Sequence, residues 1–71
     1  MKRFYSLERV LVMDGKEVDV SSVIVDIDRI ESFSPAKGNE QLTVLKMHSG
    51  DIMTVRSTMQ QVYSIIMTPN A

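Results

Sequence analysis

Between Gln41 and Met67 the hydrophobic period of the chain changes once, and that change limits most of what it can become. Residues 41–48 (Gln-Leu-Thr-Val-Leu-Lys-Met-His) and 51–56 (Asp-Ile-Met-Thr-Val-Arg) are apolar, β-branched runs flanking Ser49-Gly50, a two-residue connection suited to a hairpin. After Arg56 the period becomes helical: Met59, Val62, Tyr63 and Ile66 fall at i, i+3, i+4 and i+7, one stripe of an amphipathic helix. Ser57 stands where an N-cap belongs, and Gln60 three residues later completes a capping box. On this reading Ser57→Ala costs on the order of 1 kcal/mol.

Upstream the pattern is extended. An apolar-rich run from Phe4 to Met13 ends at Asp14-Gly15, a pair suited to the positive φ values of a type I′ turn. The return strand, Lys16-Glu17-Val18-Asp19-Val20, alternates strictly; a two-residue loop sets Leu11 opposite Val18 and Val12 opposite Glu17. Ser21-Ser22 permits a bulge before Val23-Ile24-Val25, and Asp26-Ile27-Asp28 reads as a tight turn capped by short acidic side chains. Ser34 to Glu40, carrying Pro35, Gly38 and Asn39, reads as a loop, and Pro69 stops the helix. The expected elements are strands at 6–13, 16–25, 29–34, 41–48 and 51–56, then a helix at 58–67. Connections this short exclude parallel crossovers, so the sheet is expected to be an antiparallel meander. The fold class is α+β and β-rich: a curved antiparallel sheet of about five strands with one short C-terminal helix packed on it, in a single domain over residues 1–71.

Sidedness adds a constraint. Pairing about Ser49-Gly50 sets Met47 opposite Ile52, Val44 opposite Val55 and Lys46 opposite Met53, which leaves apolar residues on both faces of the sheet. A chain of 71 residues buries only about 60% of the surface that its unfolded form exposes. With no cysteine there is neither a disulfide nor a thiolate metal site to supplement the core, yet 44% of the residues are hydrophobic. Those facts favour self-association. The expected interface draws on Leu45, Met47 and Ile52 or on Val10 and Val12, ringed by charges.

The charge pattern excludes more than it suggests. Eight basic and nine acidic residues give a net charge of −1, without the basic excess expected of a nucleic-acid-binding surface. Lys2, Arg3 and Arg9 open the chain, and a run of carboxylates from Asp14 to Glu31 follows; both read as solvated faces. The single histidine, His48, lies beside a turn with Asp51 across from it and nothing to complete a triad. Asp26-x-Asp28-x-x-Glu31 lacks the glycine and spacing of a calcium loop, and no glycine-rich phosphate loop is present. Six methionines with one histidine suit core filling or an adaptable interface better than soft-metal binding. No catalytic, metal-binding or cofactor-binding residue is assigned, and the chain reads as non-enzymatic. Residues 1–13 lack the apolar core of a signal peptide and no run approaches a membrane span, so a cytoplasmic protein without a membrane partner is expected.

Residues Ile27-Asp28-Arg29-Ile30-Glu31, the run from Leu42 to Ser57, and Val62 resemble the FlbD-type flagellar small-protein family over about residues 27 to 67. Half of the same pattern is similar to small phage proteins and to LytTR-type DNA-binding domains. The chain departs from the FlbD-type pattern in its longer N-terminal hairpin and in Thr58, where an acidic residue is usual. The resemblance implies a compact β-rich fold acting through protein contacts, with no catalytic residue to carry over.

Three functions are expected, in order. The first is an interaction or regulatory module that assembles with itself and contacts another protein. The second is a nucleic-acid-binding regulator with Lys2, Arg3 and Arg9 on phosphates. The third is capture of a small anion at a subunit interface by Arg29, Lys46 and Arg56.

Overall fold

A computed structural model describes residues 3–68. Its elements are β1 (Phe4–Met13), β2 (Lys16–Asp26), a single 3₁₀ turn (Ile27–Arg29), β3 (Ile30–Ala36), β4 (Asn39–Met47), β5 (Ile52–Val55) and α1 (Met59–Met67). All five strands form one antiparallel sheet, with α1 packed beside it, as the sequence pattern predicts. The expected stop at Pro69 lies outside the described residues.

The strand order, β2-β1-β5-β4-β3, departs from a simple meander. β3, β4 and β5 follow in sequence, but β5 rather than β3 borders the first hairpin, against β1, so β2 and β3 become the two edges. Those edges are nevertheless joined through one 3₁₀ turn. Four residue steps, from Asp26 to Ile30, reach at most about 14 Å. Five flat strands would set the outer two about 19 Å apart. The sheet must therefore curl toward closure at that end. Asp26 caps the turn, its carboxylate accepting from the Asp28 N–H at 3.1 Å, the role expected for this acidic pair.

The concave side holds the core. Leu7, Val25, Leu45, Met47 and Val55 from the strands meet Val62 from the helix, with Phe33, Met53, Ile65 and Ile66 against them. Full burial of a side chain such as Leu45 or Val55 stabilises by about 1.5–3 kcal/mol. Val10 and Leu42 are also buried, but outside this cluster. The two-residue alternation puts each on the opposite face of its strand from Leu7 and Leu45. The second apolar face is thus partly covered within the chain.

The first turn is as expected, with Asp14 and Gly15 at φ of 54° and 77°. Val12 faces Glu17, but Leu11 faces Asp19 instead of Val18, because the bulge falls at Val18 and β2 runs unbroken through Ser21 and Ser22. Around Ser49-Gly50 the register is one residue off the expected pairing. Lys46 faces Ile52, Leu45 faces Met53 and Thr43 faces Val55. The Gly50 N–H donates to the Met47 carbonyl at 2.9 Å and the Met47 N–H to the Asp51 carbonyl at 2.8 Å, with Gly50 at φ 95°. That is a three-residue loop with glycine in the bulge position. A one-residue slip exchanges faces. Met53 and Val55 consequently join Leu45 and Met47 in the core, and Ile52 turns to solvent.

The expected loop over 34–40 is mostly strand, turning only at Lys37-Gly38. Pro35 is tolerated because β3 is an edge, where a missing N–H breaks no ladder.

The helix begins one residue later than expected. Thr58, not Ser57, is the N-cap: its hydroxyl accepts from the Gln61 N–H at 3.1 Å, and the Gln61 side chain accepts from the Thr58 N–H at 2.8 Å. Ser57 is committed elsewhere, its carbonyl accepting a 2.6 Å bond from the hydroxyl of Thr43, the one fully buried polar side chain among the described residues. At nine residues the helix is too short to persist by itself, so caps and packing decide it. Thr58→Ala is expected to destabilise the protein by about 1 kcal/mol, whereas Ser57→Ala stays within about 0.5 kcal/mol of wild type. Urea titration followed by circular dichroism separates the two, and the reverse order would place the cap at Ser57.

Candidate interaction surface

The expected cationic contacts do not converge. Lys2 lies outside the described residues. Arg3 donates from Nε (3.0 Å) and Nη2 (2.7 Å) to Oδ1 of Asp28, and from Nη1 to the carbonyls of Ile66 (3.0 Å) and Thr68 (2.8 Å). The helix has no basic residue in its own last turn, so Arg3 supplies the cation that the C-terminal end of the dipole favours. Arg56 bonds Glu8 at 3.0 Å and also Glu17, tying the end of β5 to both strands of the first hairpin. Arg9 is exposed on β1 in a shallow recess shared with Asp19. Arg29 lines a cleft with His48, Asp26 and Asp51, where carboxylates offset its charge. Lys46 is exposed on β4, opposite Ile52. Among the described residues no group of three or more His, Cys, Asp or Glu side chains could hold a metal ion.

The five residues expected at an oligomer interface divide. Leu45 and Val10 are 0% and 2% exposed, and Met47 is buried with them, so these three serve the chain's own interior. The physical reason is the glycine-bulge register together with the curl of the sheet. Val12 and Ile52 are exposed.

What the sequence pattern missed is the concentration of apolar surface on the β1–β2 hairpin. Leu11, Met13, Val18, Val20 and Ile24 are all open to solvent, Ile24 at 72%. Val20 and Ile24 belong to β2, an 11-residue strand at the edge of the sheet. Their alternation is visible in the sequence. Their edge position is not, because it depends on β1 pairing with β5 through Arg9 and Val55.

Against protein families, curated proteins and solved structures alike, the chain has no match. The surface has its own chemistry: aliphatic side chains on an open strand, with Arg3 and Arg56 already paired to carboxylates. No helix among the described residues is long and apolar enough to cross a membrane.

The Arg3–Asp28 contact gives a pH signature. The hydrogen bond from the Arg3 side chain, assisted by its charge, holds the Asp28 carboxyl below its ordinary value of 3.8. A lowered pKa in the folded state means stability present above the unfolded value and lost as pH falls through the folded one. Asp28→Asn is expected to lower the melting temperature at pH 7. Its difference from wild type should shrink as the pH drops below 3.8, vanishing once Asp28 is protonated in both states. Thermal melts across this range check it; a constant difference would mean that the charge is not what Arg3 holds.

Proposed function

We propose that this protein is a small, non-enzymatic interaction or regulatory module that acts as a homo-oligomer through protein–protein contacts. The observation that carries this reading is the number of solvent-open aliphatic side chains, on both faces of one hairpin, in a chain of this size. A monomer would leave Val20 and Ile24 in water on one face of the two paired strands, and Leu11 and Met13 on the other. Association removes that area at about 25 cal/mol per Å² before the costs of ordering. The FlbD-type resemblance over residues 27–67 supports a role through protein contacts, and the absence of cysteine is in keeping with the cytoplasm.

The nucleic-acid and anion-capture readings have less support. Both needed free cations, and Arg3 and Arg56 are already bonded to Asp28, Glu8 and Glu17. Arg9, Arg29 and Lys46 sit on β1, the 3₁₀ turn and β4 with no shared recess.

Light scattering at micromolar concentration is the test. A mass at a multiple of 8.0 kDa that persists in high salt is expected, since an apolar contact is not screened. A mass of 8.0 kDa at every concentration up to millimolar would overturn the proposal. Binding to duplex or single-stranded nucleic acid that weakens steeply with salt would overturn it in favour of the second reading.

A further inference from the structure

The two edges of the sheet are built differently. β3 is seven residues long, carries Pro35, and has register irregularities between Ile30 and Ser32 and between Pro35 and Ala36. These are the devices by which natural sheets block edge-to-edge pairing. β2 has none of them from Asp19 to Val25: no proline, no lysine or arginine, and an unbroken register until the irregularity between Leu11 and Val12 on its partner. One edge is closed and the other is open.

The hydrogen bonds show which groups of β2 are available. The Ile27 N–H donates to the Arg3 carbonyl at 2.9 Å, continuing the β1–β2 ladder by one pair. Bonded and non-bonded pairs alternate in antiparallel strands. Val25, Val23 and Ser21 therefore exchange bonds with Tyr5, Leu7 and Arg9, while Ile24, Ser22 and Val20 turn their amides and carbonyls away from β1, the Val20 N–H donating to the carboxylate of its own neighbour Asp19 at 2.9 Å. The other side of β1 obeys the same alternation: the Glu8 carbonyl, opposite Ser22 and so turned from β2, accepts from the Arg56 N–H.

We propose that the open edge of β2 pairs antiparallel with β2 of a second copy of this chain, about a twofold axis at Ser22. The proposal rests on the homo-oligomeric reading above and names its contact. Self-complementarity selects both the occupant and the register. With the axis at Ser22, Val20 faces the partner's Ile24 and Ile24 faces the partner's Val20. Moving the axis to Ser21 sets Val20 against serine and Ile24 against the bulged Val18; moving it to Val23 sets Val20 against Asp26. Among axes that pair outward-turned residues, only Ser22 matches both open aliphatics with an aliphatic. Asp19 then meets Val25, so no like charges oppose each other between residues 19 and 25. Three bonded pairs give about six backbone hydrogen bonds, two of which replace the bond from the Val20 N–H of each copy to its own Asp19 carboxylate. On the same face of β1, Val20 lies opposite Val10, while Ser22 and Ile24 lie opposite Glu8 and Ser6.

The chain has no cysteine, so one can be placed at will. On the axis, Ser22 of each copy forms a bonded pair with Cα atoms about 5.5 Å apart, within disulfide reach. Ser22→Cys under mild oxidation is expected to give a covalent dimer. Ser32→Cys, on the blocked β3 edge, is expected to stay unlinked. Ile24→Lys should retain the wild-type circular dichroism spectrum while its scattering mass falls to 8.0 kDa. Equal cross-linking of both cysteine variants means random collision and overturns the proposal. An oligomeric wild type in which Ser22→Cys does not cross-link, or a folded Ile24→Lys that keeps its mass, overturns the edge contact alone. A wild-type mass of 8.0 kDa throughout overturns the homo-oligomeric reading itself.

Discussion

The buried hydroxyl of Thr43 fixes where the last strand stops and where the helix starts. It has no access to water, and an unpaired hydroxyl there would cost about 1–3 kcal/mol, so its bond to the Ser57 carbonyl is close to obligatory. That bond holds Ser57 in the connecting segment and leaves Thr58 to cap. The start of the helix then sets its phase, and the phase decides that Val62, Ile65 and Ile66 face the strands. A helix begun one residue earlier would rotate its apolar stripe by about 100°.

The other end of the helix is held from the opposite end of the chain. Arg3 bonds the carbonyls of Ile66 and Thr68 and also the carboxylate of Asp28 in the 3₁₀ turn. One guanidinium thereby joins the first strand, the turn that links the two edges, and the helix terminus. Arg56 does comparable work at the seam between β1 and β5, where the ladder is a single residue pair extended by its own N–H to Glu8. The two halves of the sheet, β1–β2 and β3–β4–β5, depend on these arginines and on the shared core more than on backbone pairing between them.

What was legible in the sequence is what is decided locally. Asp14-Gly15 makes its turn, the aliphatic spacing from Met59 to Ile66 makes its helix, and five extended runs make one antiparallel sheet. What was not legible depends on partners far along the chain. Both Ser57-x-x-Gln60 and Thr58-x-x-Gln61 fit a capping box, and Thr43, fourteen residues upstream, chooses between them. The loop around Gly50 could hold two residues or three, and the difference exchanges the faces of Ile52 and Met53. That exchange, with the curl of the sheet, moved Leu45, Met47 and Val10 from a supposed surface to the interior. Pro35 suggested a loop because its tolerance depends on β3 being an edge. The open apolar hairpin was hidden for the same reason: edge position follows from strand order, and strand order follows from one contact between Arg9 and Val55.

Pro35 and the irregular register of β3 have a consequence for size. A sheet that could add strands at both edges would have no reason to stop, and copies joined head to tail would extend into a fibre. Here the growing end is blocked in every copy. When two open edges meet about a twofold axis, each consumes the other, and both outer borders of the joined sheet are β3 strands that accept no further neighbour. In the proposed dimer the proline would limit the particle to two copies without touching the contact that forms it.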